Sequence, residues 1–249
     1  MIKYFNLFLE FDRNKLEKKL VDISLTGRGY CCFVDQVLLV ESNRQRNINL
    51  KNIINNASIN SCDGSSIAFI VNILYKKNYK AYNGPEFFNK FIFLPGKHCI
   101  VGNTMNVFNK VKQKLKESGH KTSNLFHISL PFLKINQFNF DEISNEINKI
   151  KPQYIWISLG APKQEEFMYK ILPKIDQGIM LGIGAAINWF TGEIKDIPNW
   201  IIKLRLIWIY RIITEPKKQI PRIVKIIIHT PKLIVNERRK IKLNKQNTE

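Results

Sequence analysis

The stretch from Tyr154 to Gly192 constrains the fold more than any other part of the chain. Tyr154–Leu159 is a short apolar and aromatic run of the kind that forms a buried strand. Lys163–Leu172 carries helix formers whose apolar residues share one face, and Gly178–Leu181 is a second apolar run. This order predicts two strands of a sheet that are joined by a helix.

Two loops in this stretch suggest a ligand site. A tight turn follows the first strand and a glycine-containing loop follows the second. In an open α/β sheet, loops at the carboxyl ends of the strands line the ligand crevice, and a helix N-terminus there offers N–H groups to an anion. The predicted site therefore includes Gly160, Ala161, Pro162, Lys163, Gly182, Gly184 and Ala185.

Strands alternate with helices along residues 12–150 as well. Predicted strands are Tyr30–Val34, Ala57–Ser61, His98–Val101 and Leu125–Leu130. Predicted helices are Asp12–Leu25, Ile67–Lys77, Met105–Glu117 and Asp141–Ile150, with residues 37–54 helical in part. The alternation predicts an α/β core of residues 1–193 with a largely parallel sheet.

The net charge of +19 points to an anionic partner, and about half of it lies in the last fifth of the chain. Lys203–Glu249 contains 13 Lys and Arg residues and three acids, so it carries +10. Its basic residues alternate with apolar residues at helical spacing from Trp200 to Leu233, interrupted at Pro216, before a polar tail from Arg238 that we expect to fray.

Residues 194–249 are therefore predicted to form a basic amphipathic appendage. Such a helix can lie in an anionic membrane interface. It can equally pack on the core with a solvated basic face, and the sequence leaves both alternatives open. Exposed apolar helix faces would also allow a homo-oligomer.

Cysteine and histidine patterns do not indicate a metal centre. The four cysteines form no CxxC pair, and the four histidines are scattered. The cysteines are typical of reduced, buried thiols of a cytoplasmic protein. No signal peptide is recognisable at the start, and no uncharged run approaches the roughly 18 residues of a spanning helix.

Asp63 lies at a predicted turn between a strand and a helix. An aspartate at this position commonly caps the helix N-terminus, which needs no further function. The alternative is that this carboxylate has a functional role. Further along, Asn83-Gly84-Pro85-Glu86 forms a turn into a helix, with proline at the first helical position.

Three blocks together resemble the WecG/TagA/CpsF family, glycosyltransferase family 26. They are LGAPKQEEF at Leu159–Phe167, GIGAAINWFTG at Gly182–Gly192 and IWIYRIITEP at Ile207–Pro216. Upstream, the sequence is similar to the family's DG turn, T-G-P-D-like turn and strand-glycine loop at Cys62-Asp63-Gly64, Asn83-Gly84-Pro85-Glu86 and Ile100-Val101-Gly102.

The resemblance implies an inverting, metal-independent transferase with a Rossmann-like fold and no cofactor. Members move a hexosamine, typically N-acetylmannosamine, from a UDP-sugar to a polyprenyl-diphosphate-linked N-acetylglucosamine. They act at the inner face of the bacterial cytoplasmic membrane in teichoic acid, common-antigen or capsule synthesis. The implied partners are thus a UDP-sugar, a lipid-linked acceptor and an anionic membrane surface, with a peripheral location.

The resemblance also assigns roles to residues. Asp63 matches the catalytic aspartate, which would deprotonate the acceptor hydroxyl, and Gln164 matches an active-site glutamine. No D-x-D motif is available to bind a metal, so N–H groups and cations would stabilise the leaving UDP. Arg211, Lys218 and Arg222 occupy positions where the family's appendage carries cations. Further substrate-binding candidates are Gln36, Gly64, Gly84, Glu86, Gly102, Asn103, Glu165 and Asn188. Glu165 can alternatively be a first-turn acid favoured by the helix dipole.

The sequence departs from the family pattern at Val34, Ala81, Asn188, Asp196 and Ile207. These departures suggest altered specificity, or a diverged copy with low activity. Two other classes compete with the transferase: a nucleic-acid-binding protein, suggested by the charge, and a dinucleotide-binding oxidoreductase, suggested by Gly182-x-Gly184. The aromatics of the basic segment lie at helical spacing among isoleucines, which suits a membrane or core face better than nucleic acid, and the glycine motif lacks its third glycine.

Overall fold

The computed structural model describes residues 3–194 and 212–246, without the side chains of Lys218 and Lys245. Within these ranges, a six-stranded sheet has helices on both faces. A separate, small antiparallel hairpin lies at the N-terminal end of the described residues. The hairpin consists of β1 Lys3–Tyr4 and β2 Leu7–Phe8. The sheet consists of β3 Arg28–Val34, β4 Ile59–Cys62, β5 His98–Gly102, β6 Leu125–Ile128, β7 Tyr154–Ser158 and β8 Gly178–Gly182.

The helices follow the apolar periodicity of the sequence. They are α1 Arg13–Thr26, α2 Gln36–Ser42, α3 Ile48–Asn55, α4 Ser65–Tyr75, α5 Gly84–Phe91, α6 Met105–Glu117, α7 Phe140–Ile150, α8 Lys163–Ile171, α9 Ala186–Phe190 and α10 Pro216–Gln246. The predicted α/β architecture is confirmed, and most predicted boundaries differ by one or two residues. Side-chain caps explain several starts: Asp12, Asn83 and Thr104 each accept a hydrogen bond from a backbone N–H in the first turn.

The sheet order is β4-β3-β8-β7-β5-β6, and every neighbouring pair is parallel. The chain builds β3 and β4 first, crosses to β5 and β6, and returns to place β7 and β8 in the gap. Because all six strands run the same way, the loops that leave them meet at one edge. The last strand, β8, is central, so the loop that follows it lies in the middle of that edge.

Two apolar layers cover the sheet. On one face, α4, α7 and α8 contribute buried side chains such as Val71, Ile147 and Phe167. On the other face, Phe87, Phe88 and Phe91 of α5 pack near Trp156 of β7, with the Phe88 and Trp156 rings 4.9 Å apart and perpendicular. Each such ring removes enough apolar surface from water to contribute roughly 2 kcal/mol or more. The core thus holds the carboxyl-terminal edge of the sheet rigid.

The long helix α10 docks on the core through polar contacts as well as apolar ones. The Gln36 side chain of α2 donates to the Thr230 hydroxyl at 3.0 Å, and Lys225 pairs with Glu41 at 2.8 Å. Glu237 is buried and accepts hydrogen bonds from the Phe5 backbone N–H at 2.7 Å and the Tyr75 hydroxyl at 2.6 Å. Leu233 and Ile234 pack against the core beside these bonds.

The C-terminal region differs in detail from the prediction. The structure shows a helix that begins at Pro216, contains Pro221 and Pro231 and continues to Gln246, whereas the sequence suggested a frayed tail from Arg238. The buried Glu237 anchors the helix just before that tail, and Lys240 bonds the Asn6 side chain beyond it. The predicted apolar positions from Trp200 to Trp208 lie outside the described residues. No helix in the described part of the chain has both the length and the apolar character needed to cross a bilayer.

Candidate active site

Several of the residues that sequence analysis assigned to a site lie around the loop that leaves β8. This loop, residues 183–185, is followed at once by α9. Loops from β3, β4, β5 and β7 surround it at the same edge of the sheet. This edge is therefore built by five strand ends, and each side chain is placed by the strand or helix next to it.

Asp63 follows β4 and bonds to the start of α5. Its Oδ1 accepts a hydrogen bond from the Gly84 backbone N–H at 2.7 Å. The N-cap of α4 is Gly64, without a side-chain cap, so the capping role that sequence analysis left open for Asp63 is not what the structure shows. The residue is half-buried.

Gly84 brings Asp63 close to the β8 loop. A Cβ atom added at Gly84 would lie 3.6 Å from the Ile183 carbonyl oxygen, 3.7 Å from the Ala186 Cβ and 4.0 Å from the Asp63 Oδ1. The backbone of α5 therefore touches both the carboxylate and the loop. This contact explains why the DG turn and the G-P turn, distant in sequence, belong to one site.

Gln164 approaches the same loop from α8. Its side chain is 4% exposed, and its Nε2 donates to the Gly182 carbonyl at 2.8 Å and to the Glu165 Oε1 at 3.0 Å. A Cβ atom added at Gly184 would lie 3.5 Å from the Gln164 Oε1, so this oxygen faces the glycine loop. Asp63 and Gln164 thus flank the β8 loop from the two faces of the sheet.

Asn103, Ser158 and Asn188 form a polar network beside the loop. The Asn103 side chain donates to Asn188 Oδ1 at 2.9 Å and to Ser158 Oγ at 3.2 Å. The Ser158 hydroxyl donates to the Gly184 carbonyl at 2.8 Å and so fixes the loop to the end of β7. Sequence analysis missed Ser158, although it is the last residue of a strand at this edge. Asn188, which departs from the family pattern, still supplies the acceptor of this network.

Gly102 and Asn103 form the turn that starts this network. Gly102 has φ +85°, and a Cβ there would lie 3.0 Å from both the Leu159 Cδ2 and the Ser158 carbonyl oxygen. Asn103 follows with φ +64°. A residue other than glycine at 102 would be strained in both respects.

Four predicted substrate-binding side chains have hydrogen-bond or ion-pair partners within the chain. Gln36 bridges helices, because it accepts from Ser66 as well as donating to Thr230. Glu86 is ion-paired with Arg13, whose guanidinium also donates to the Ala81 carbonyl at 2.9 Å. Both side chains hold elements together, and their direct contact with substrate stays a prediction.

Lys163 and Glu165 also have partners within the chain. The Lys163 ammonium donates to the Leu133 carbonyl at 2.6 Å and lies over the Phe138 ring. Glu165 is fully buried, and burial raises the pKa of its carboxyl to about 7. Lys163 begins α8 and Glu165 contacts Gln164, and the direct contact of either side chain with a ligand stays a prediction.

The remaining predicted residues lie at this edge of the sheet, on α10 or outside the described residues. Gly160, Ala161 and Pro162 form the exposed turn before α8, and Gly64 begins α4 next to the Gln36 backbone. Arg222 is half-buried on α10, three residues before the Lys225 that pairs with Glu41. Arg211 and the side chain of Lys218 are outside the described residues. Among the described residues, no group of three or more His, Cys, Asp or Glu side chains could hold a metal ion.

Fold and site together define a class of protein. A Rossmann-like parallel sheet carries a carboxylate and a buried amide on either side of a glycine loop at its carboxyl-terminal edge, where α/β proteins bind ligands. Residues 7–245 match the Glycosyl transferase WecG/TagA/CpsF family. The chain belongs to this family.

Curated relatives share shorter segments. The chain is 31% identical over 74 residues, 30% of its length, to an N-acetylglucosaminyldiphosphoundecaprenol N-acetyl-beta-D-mannosaminyltransferase of Bacillus subtilis (strain 168). It is 34% identical over 102 residues, 41% of its length, to a protein of the same name from Staphylococcus aureus (strain NCTC 8325 / PS 47). These segments span 29% and 39% of the two relatives.

Proposed function

We propose that this protein is an inverting, metal-independent glycosyltransferase of bacterial surface-polysaccharide synthesis. It moves a hexosamine, with N-acetylmannosamine the first candidate, from a UDP-sugar to a polyprenyl-diphosphate-linked sugar. Family membership and the names of the two relatives support the sugar and the acceptor. The single observation that carries the proposal is the placement of Asp63 and Gln164 on either side of the β8 loop.

In the proposed reaction Asp63 is the general base. Its carboxylate takes the proton of the acceptor hydroxyl as that oxygen attacks the anomeric carbon of the donor. The bond between that carbon and the diphosphate oxygen breaks, and UDP leaves with the electron pair. The Gly84 N–H holds the carboxylate in place, because its hydrogen bond fixes one carboxylate oxygen. A backbone N–H does not give up its proton, so the carboxylate stays unprotonated.

Backbone groups and cations are proposed to stabilise the leaving UDP. The N-cap of α8 is Pro162, and no side chain caps this helix. The Gln164 N–H donates to the Gly160 carbonyl at 3.0 Å, and the other N–H groups at this end of the helix are proposed to face a diphosphate at the end of β7. Arg211, Lys218 and Arg222 remain the proposed cations of the appendage.

The acceptor implies contact with a membrane, and α10 has a surface suited to it. Five of its exposed apolar side chains recur at helical spacing on one face, Ile220, Val224, Ile227, Ile228 and Val235. Exposed basic residues on the same helix, Lys217, Lys232, Arg238 and Arg239, would attract anionic headgroups. We propose that this face lies in the interface of an anionic membrane while Leu233 and Ile234 hold the helix on the core. The same exposed face would also permit a homo-oligomer.

The function is tested by UDP release. The full chain is incubated with a short-chain lipid-diphosphate acceptor and, in turn, UDP-hexosamines, UDP-glucose and UDP-uronic acids. We expect acceptor-dependent UDP release with a UDP-N-acetylhexosamine and a rise in Tm with UDP. Absence of release with every donor would contradict active transfer and favour a diverged copy. A rise in Tm with NAD(H) alone would favour the oxidoreductase.

Binding measurements separate the membrane from nucleic acid. Vesicles with anionic lipids should bind the protein in a salt-dependent manner, because the basic residues of α10 meet a negative surface. An oligonucleotide of equal charge lacks an apolar phase for the exposed isoleucines. Tighter binding to the oligonucleotide would instead support the nucleic-acid alternative.

A further inference from the structure

The first two buried side chains of α8 are hydrogen-bonded to each other, and the proposed reaction gives neither of them a chemical role. Gln164 and Glu165 are sequence neighbours, and they are 4% and 0% exposed. The two hydrogen bonds of Gln164 Nε2, to Gly182 O and Glu165 Oε1, use both of its N–H groups. Both partners are acceptors, so the amide nitrogen must occupy this side. A rotated amide would place its oxygen against two other oxygens.

The other end of the amide is held without a partner. Gln164 Oε1 is buried and has no hydrogen-bond partner among the described residues, and it faces the glycine loop. Glycine keeps this space open: Gly184 has φ +52°, and a Cβ at Gly182 would lie 2.7 Å from Met168 Cε and 3.2 Å from Gln164 Nε2. A buried carbonyl without a partner is unfavourable, so it persists only where the surroundings impose it.

We propose that Glu165 is a positioning residue that fixes the Gln164 amide so that its carbonyl oxygen is offered to the substrate. Gln164 then accepts a hydrogen bond, and the group it recognises is a donor: a sugar hydroxyl or the N–H of an acetamido group. The identity of this ligand rests on the proposed function. The orientation of the amide does not, because it follows from the bonds within the chain.

The positioning bond does not require Glu165 to be charged. Either protonation state leaves an oxygen that can accept from Gln164 Nε2. A glutamine at position 165 keeps such an oxygen, whereas a leucine of similar volume has none. These two substitutions therefore separate the hydrogen bond from simple filling of the core.

The experiment compares Glu165→Gln and Glu165→Leu in the full chain, with Glu166→Gln as the neighbouring control. We expect Glu165→Gln and the control to keep kcat/KM for sugar transfer within about threefold of the parent. Glu165→Leu should lose about tenfold or more, with UDP affinity within about twofold. Two opposing changes set its Tm, because leucine removes an Oε2 that lacks a partner but leaves one Gln164 N–H without an acceptor. Parent-like transfer by Glu165→Leu, or an equal loss in Glu165→Gln, would overturn the proposal.

A second measurement keeps the orientation testable if transfer is absent or if Glu165→Leu is unstable. Proton exchange at the Gln164 side-chain amide is followed by ¹⁵N NMR, with the exposed Gln113 amide as internal reference. Both Gln164 hydrogens should exchange slowly in the parent and in Glu165→Gln, and at least one should exchange much faster in Glu165→Leu or in the milder Glu165→Ala. Fast exchange of both hydrogens in the parent would refute the fixed amide. A chain that shows slow exchange but no UDP release would refute only the proposed function.

Discussion

Asp63 Oδ1 lies 2.7 Å from the backbone nitrogen of Gly84, and this bond joins the end of β4 to the first turn of α5. The carboxylate therefore accepts a bond from α5 and is not the N-cap of α4, the helix that follows it in the chain. Gly84 also contacts the β8 loop, so the bond sets the distance between the proposed base and the glycine loop. A base fixed by a backbone N–H stays in place when a substrate hydroxyl arrives.

Substitution of Asp63 by asparagine tests its role as base. Asparagine keeps an oxygen that can accept from Gly84, so Tm and UDP affinity should remain close to those of the parent. Transfer should fall by about 10²–10⁴-fold, because the amide cannot take the proton. Asp12→Asn, which alters the N-cap of α1, is the control and should leave the rate unchanged. Full turnover by Asp63→Asn would remove it as the base.

Burial of Glu165 predicts how the stability of Glu165→Gln changes with pH. Desolvation raises the pKa of Glu165 from its ordinary value near 4.5 to about 7, and the nearby acids Asp35 and Glu166 add to the rise. Between these two pKa values the native state holds a proton that the unfolded chain has lost, so the stability of the parent falls as pH rises. The Tm advantage of Glu165→Gln should grow through this window and stay constant above about pH 7.

Thermal melts of both proteins across this pH range measure the effect. Glu166→Gln is the matched control, since its side chain is only half-buried. A Tm difference between Glu165→Gln and the parent that is the same at every pH would contradict the raised pKa.

Glu237 should contribute strongly to the docking of α10. Alanine at this position leaves the buried Phe5 N–H and the Tyr75 hydroxyl without an acceptor. We expect the free energy of unfolding in urea to fall by about 2 kcal/mol. Arg238→Ala, at the exposed next position, should change it by less than about 0.5 kcal/mol. Equal effects of the two substitutions would show that α10 does not depend on this contact.

The exposed face of α10 should control binding to anionic vesicles. Ile227 is 67% exposed, and glutamate there removes apolar area and adds a charge of the same sign as the lipid. Sedimentation with vesicles should show about tenfold weaker binding for Ile227→Glu. Leu25→Glu, on α1 at 71% exposure, makes the same change in charge and should bind like the parent. If both variants bind equally weakly, net charge and not this face determines the binding.

The reaction should tolerate chelators. The described residues contain no cluster of metal ligands and the sequence contains no D-x-D motif, so the transfer is proposed to proceed through backbone groups and cations. UDP release should be unchanged in excess EDTA. Strong inhibition that is relieved by added Mg²⁺ or Mn²⁺ would refute the metal-independent mechanism.

The sequence by itself determined the order and type of the main elements. Periodicity of apolar residues located α6 at its observed boundaries, Met105–Glu117, and placed β7 and β8 within one residue. These features are local, because a helix or a buried strand is set by residues a few positions apart. The parallel sheet followed from the alternation, and the glycine loops marked the edge at which the site is proposed. The family followed from three blocks whose residues lie close together along the chain.

Only the tertiary structure decided what the side chains at that edge do. The bond between Glu237 and Phe5 joins residues 232 positions apart, and the bond between Gln36 and Thr230 spans 194. Neither has a local signature in the sequence, so neither the docking of α10 nor the hydrogen-bond partner of Gln36 could be predicted. The sequence offered Glu165 as a substrate-binding residue or as a first-turn acid, and only the packing of α8 shows that its side chain is fully buried. Local patterns specify elements, whereas the direction of a polar side chain depends on which distant backbone or side-chain group completes its hydrogen bonds.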